Sequence, residues 1–128
     1  MLGVEVDWDW LTLGDYLKKL EEQRISVNVV PLIGHGTIRV STIGFYDGAP
    51  TRAKLEDMRR LTAQGMRDGA FGMSSMVEFP PGSYAKTEEI IELCKIVSKQ
   101  GGFYATHIGS EGEKSIEESV KVAEGSGI

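Results

Sequence analysis

The sequence predicts an α/β fold of parallel strands joined by helices, and three observations lead there. Four stretches carry apolar residues at helical spacing, and three short β-branched or aromatic runs fall between them. Each run closes on glycine or polar residues, at Gly34-His35-Gly36, at Ser74-Ser75 and at His107. Alternation at this spacing favours parallel strands with helical crossovers. The expected order is α-β-α-β-α-β-α.

Residues 12–24 place Leu13, Tyr16, Leu17 and Leu20 on one stripe, and Thr12 with Asp15 resembles a capping box. Residues 27–33 read as a strand, with Pro31 suited to an edge or bulge. A glycine-rich loop is expected over residues 34–50. A second helix then starts at Thr51, with Leu55, Met58, Leu61 and Met66 inward. Gly69 stops it, and residues 70–75 form the second strand. Pro80-Pro81-Gly82 imposes a turn or an extended loop. Thr87 is expected to cap a third helix, with Glu88 and Glu89 at the positive end of its dipole. Ile90, Ile91, Cys94 and Val97 make its apolar face, and Gly101 and Gly102 end it. Residues 103–106 form the third strand, and a last helix carries Ile116, Val120 and Ala123.

The chain has 128 residues, room for one domain. A closed eight-stranded barrel needs about 250 residues. The pattern is therefore that of part of a TIM-like (β/α) barrel or of a small open sheet, and residues 1–128 are expected to be a single partial barrel domain, a fragment of something longer. Three parallel strands leave two edges exposed, which favours a homo-oligomer or docking against the remainder of a barrel. Fourteen basic residues stand against 19 acidic, a net charge of −5, and no basic stripe offers itself to nucleic acid. No apolar run approaches the roughly 20 residues that span a bilayer. The first ten residues lack the basic start of a secretion signal. One cysteine excludes an internal disulfide, and a cytoplasmic location is expected.

Few residues can carry chemistry. His107 follows a strand, where α/β proteins place ligand sites, and can serve as a metal ligand, a general base or a loop anchor. His35 sits between two glycines that suit either close approach to a ligand or an ordinary tight loop. Ser74 can bond a substrate, although serines at strand ends often satisfy local backbone groups instead. Glu111 is the acid nearest His107 in sequence. Cys94 lies among aliphatics and reads as core. A catalytic zinc takes three protein ligands, and two histidines with one core cysteine support at most one weak site.

These residues together resemble the N-acyl-D-amino-acid deacylases (D-aminoacylases) of the amidohydrolase superfamily. Asn28-Val29, Leu32, Gly34-His35 and Arg39 are similar to one stretch of that family. Gly69-Ala70, Gly72 and Ser74 match a second, Pro80-Pro81-Gly82 with Tyr84-Ala85 a third, Thr87-Glu88-Glu89 a helix start, and Tyr104 with Thr106-His107 a strand. The resemblance implies a distorted TIM barrel beside a small β-sandwich, with zinc as cofactor and an N-acyl amino acid as small-molecule substrate. Zinc activates water and polarises the scissile carbonyl. It maps His107 onto a zinc ligand and leaves His35, Ser74 and Glu111 as substrate-side residues. Gly109 stands where the family has arginine, Phe79 where it has tyrosine, and Ser75-Met76 where it has threonine and glycine. A non-catalytic self-associating module and a cyclic-amide hydrolase are the alternatives.

Overall fold

The Thr12 hydroxyl accepts from the Asp15 amide while the Asp15 carboxylate accepts from the Thr12 amide, the reciprocal box foreseen from sequence. That box opens helix α1 (Leu13–Glu22). The computed structural model describes residues 9–109 and 112–128. Strands β1 (Leu32–Gly34), β2 (Gly72–Ser75) and β3 (Phe103–Thr106) form a parallel sheet in the order β1-β2-β3. Helices α2 (His35–Ile43) and α3 (Arg52–Arg67) connect the first two strands. A 3₁₀ turn, Gly82–Tyr84, and α4 (Thr87–Lys99) connect the next two, and α5 (Glu113–Ser126) follows β3.

Register explains where the core sits. Ile33, Met73 and Tyr104 share one row across the three strands. All three pack into the core with Ile38, Met58, Leu93, Cys94 and Val97 from the helices. The alternate residues point to the other face. There Leu32 lies beside Gly72 and Phe103, and Gly34 beside Ser74 and Ala105. None of these joins the core, and Phe103 is 47% exposed. The helices thus cover one face of an open sheet. Gly72 is required by the spacing of β2 and β3: a Cβ there would run into the Phe103 backbone.

Four details depart from the sequence expectations. The glycine-rich segment contains helix α2, because burial of His35, Ile38 and Arg39 outweighs the weak helix propensity around Gly36. The first strand shrinks to three residues, since β2 offers partners only from Gly72. Val27, Val29 and Val30 are exposed, and the Pro31 carbonyl accepts from the Phe71 amide at 2.9 Å. Thr87 is the first residue of α4 rather than its cap, and Lys86 holds the cap position without a side-chain bond. In α5 the buried residue is Val122, whereas Ile116 and Val120 are exposed. Among the described residues α5 packs mainly on α4, and it buries only a narrow stripe there. Among the described residues no helix is long and apolar enough to cross a membrane.

Candidate active site at the strand ends

The ladder extends one bond beyond β3: the His107 amide donates to the Ser75 carbonyl at 3.1 Å. This bond fixes the backbone from which the imidazole projects. Its Nε2 lies 3.9 Å from the Glu78 carboxylate, and the His107 side chain remains 58% exposed. Glu78 comes from the segment that leaves β2, so the pair spans two adjacent strand ends. Both line a cleft of about 570 Å³, together with Lys86, Thr106, Gly109 and Ser115.

Beneath the cleft three hydroxyls tie β2 to β3. The Ser75 hydroxyl lies 2.6 Å from the Tyr104 hydroxyl and 2.9 Å from that of Thr106. Burial pushes the Tyr104 phenol above its ordinary pKa and outweighs the bonds from Ser75 and Thr106. It is a neutral strut under the cleft at physiological pH.

Behind the cleft sits a charged cluster with almost no solvent contact. His35 and Arg39 are 0% exposed and Glu89 is 5% exposed. One Glu89 oxygen lies 2.8 Å from His35 Nε2, and the other accepts from Arg39 Nη1. Arg39 Nη2 donates to the carbonyls of Tyr46 at 3.0 Å, Gly48 at 2.5 Å and Tyr84 at 3.4 Å. Among the described residues His35 Nδ1 has no hydrogen-bond partner. With a carboxylate against it, Nε2 carries a hydrogen and donates a hydrogen bond to Glu89.

Burial by itself raises the pKa of Glu89, but the bonds from His35 and Arg39 prevail and hold it below 4.5. A carboxylate whose folded pKa is lowered stabilises the fold above its unfolded pKa. That contribution is lost as pH falls through the lower folded value. Denaturation midpoints should therefore drop as pH falls below about 4.5. Asp15 and Glu92 are also held low, by Thr12 and Lys95 respectively. The difference between wild type and Glu89→Gln isolates the buried group: the variant should show the shallower acid limb, and superimposable limbs would refute the assignment.

Of the four residues singled out in the sequence, the three described ones are dispersed. His107 stands in the cleft, His35 is buried behind it, and Ser74 is partly buried on the sheet face away from the core. Glu111 lies outside the described residues. Glu78, Arg39 and Glu89 are the site residues that sequence reading underrated. An His-x-x-x-Arg spacing puts both side chains on one helical face, a signal hidden while residues 34–50 read as a loop. The Cys94 thiol is fully buried and pushed up to about 12 by desolvation, which makes it core. Among the described residues no three His, Cys, Asp or Glu side chains are grouped to hold a metal. His107 and Glu78 alone do not meet a zinc's demand for three ligands.

The architecture is that of an open stretch of TIM-like barrel, with parallel strands ending at a polar cleft. The chain resembles, more particularly, the D-aminoacylases of the amidohydrolase superfamily. It is 38% identical over 111 residues to D-aminoacylase of Alcaligenes xylosoxydans xylosoxydans, over 84% of this chain and 23% of that protein. It is 38% identical over 114 residues to N-acyl-D-aspartate deacylase of the same organism, over 88% and 23%. A crystal structure of D-aminoacylase superimposes with a TM-score of 0.84 at 32% identity, over 91% of this chain and 25% of that one. The N-acyl-D-glutamate deacylase of Bordetella bronchiseptica, solved with zinc and a phosphonate mimic of the tetrahedral intermediate, gives 0.85 at 26%, with the same coverage. No family model matches the chain. The chain spans about a quarter of the length of the relatives it matches.

Proposed function

We propose that this chain supplies one wall of the active site of a zinc-dependent hydrolase acting on N-acyl-D-amino acids. The observation that carries the reading is the position of His107: it ends a barrel-type strand, faces Glu78 in a polar cleft, and belongs to a fold matching D-aminoacylase at a TM-score of 0.84. In this reading His107 is one ligand of a zinc whose remaining ligands lie outside the described residues. Zinc, when bound, lowers the pKa of a water and polarises the scissile amide. The overall reaction would add water across the amide: the hydroxyl part goes to the carbonyl carbon, the C–N bond breaks, and the proton from water goes to the departing nitrogen, giving a carboxylate and a free D-amino acid. Ser74 and Glu111 are assigned to the substrate side. His35, being buried, contributes from behind. Gly109 makes the cleft one cation poorer than the family pattern, and a Cβ there would lie 3.6 Å from the Glu78 carboxyl carbon. The single buried cysteine suits a reducing compartment, and the cytoplasm is the proposed location.

The test is a chimera in which these 128 residues replace the matching quarter of D-aminoacylase. Zinc-dependent hydrolysis of N-acetyl-D-amino acids is expected, and His107→Ala should lower kcat/KM by about 100-fold or more. The zinc content of the purified chimera, compared with that of its His107→Ala variant, gives a second readout. Hydrolysis and zinc content indifferent to His107 would sink the proposal.

One observation favours a second reading for the isolated chain, a self-associating module without catalysis. Among the described residues the core lies on one face of the sheet, and β1 and β3 are its edges. Light scattering that finds only monomer at high concentration would exclude it.

A further inference from the structure

We infer that His35, Arg39 and Glu89 are positioning residues that set the wall of the cleft, acting through the backbone of the segment between β2 and α4. The inference rests on the reading of the His107 cleft as the active site. That segment carries Glu78, opposite His107, near its start and ends with Lys86, also in the cleft. It touches α2 twice. Arg39 binds the Tyr84 carbonyl, and Gly36 faces Pro81, whose ring a Cβ would meet at ordinary van der Waals distance, 3.6 Å. Glu89, in the first turn of α4, anchors the far end on both α2 side chains. The same guanidinium gathers the Tyr46 and Gly48 carbonyls. Three chain segments thus converge on one planar donor, a geometry that lysine cannot reproduce. Gly82 fits the same purpose: a Cβ there would run into the Met76 carbonyl, so the turn folds tightly on the strand end it leaves.

Hydrogen exchange on the wild-type chain is the first test. The Ser83 and Ala85 amides, bonded to the Phe79 and Gly82 carbonyls, should exchange nearly as slowly as those of the β2–β3 ladder. Exchange at the rate of an unpinned loop would overturn the proposal. In Arg39→Lys those two amides should exchange at least tenfold faster while the ladder amides hold their protection. The His107 ring resonances should shift, because Glu78 moves with the segment. A uniform loss of protection in Arg39→Lys, or an unmoved His107 signal beside loosened amides, would assign the cluster to overall stability and overturn the proposal. These readouts need neither zinc nor turnover. A failed chimera with pinned amides would count against the deacylase reading, whereas an active chimera with loose amides would count against this one.

Discussion

Glu89→Ala should cost about 3–5 kcal/mol of folding stability, the loss typical when one partner of a buried ion pair is removed. The carboxylate is the only acidic group bonded to the Arg39 guanidinium and His35 Nε2 among the described residues. Its removal strands a charge that is 0% exposed, with only the carbonyls of Tyr46, Gly48 and Tyr84 left as acceptors. Domains of this size have about 5–15 kcal/mol in total, so the variant should approach the unfolding threshold at 25 °C. Urea titration at pH 7 measures the shift. Adding Arg39→Met in the Glu89→Ala background should recover part of the loss, because the penalty lies in the uncompensated charge rather than in a missing attraction. A loss below about 1 kcal/mol would mean that water reaches the cluster, since only a solvated pair is worth so little. The positioning role would then fall with it.

That cluster also marks the boundary of what the sequence reveals. The strands were legible because short β-branched or aromatic runs fall between the helical stretches, and because glycines and polar residues close them. Helices α3 and α4 were legible from the spacing of Met58, Leu61, Ile90, Cys94 and Val97. Helix α2 was not, because its formation depends on partners distant in sequence. Its buried polar residues meet Glu89 some 50 residues later, and local propensity around Gly36 argues against a helix. The α5 stripe failed for a related reason. Ile116 and Val120 form a plausible apolar face, but what a helix buries is decided by its neighbours, and α4 meets the Val122 side. His107 was found from position and resemblance. Glu78 does not stand out in sequence, because an acid in a loop is usually solvated, and only the folded path of the β2–α4 connection brings it to 3.9 Å from the imidazole.

Leu93→Ala should cost about 2–5 kcal/mol, the range for a fully buried leucine whose cavity only partly collapses. Leu93 is 0% exposed at the centre of α4, in the cluster that includes Met58 and Met73. In an ordinary two-faced sheet such a loss is shared with a second core. Here, among the described residues, the second face carries none: Leu32, Ser74, Phe103 and Ala105 lie outside the core. The same substitution should therefore consume a larger fraction of the stability of this chain alone than of the chain built into a barrel that covers that face. Comparing the Leu93→Ala loss by urea titration in the isolated chain and in the D-aminoacylase chimera separates the two cases. Similar absolute losses but unfolding only in isolation would show that the uncovered face, rather than the helical core, limits the chain. Equal tolerance in both settings would mean that the one-sided core suffices, and the case for self-association through the open face would lose its physical basis.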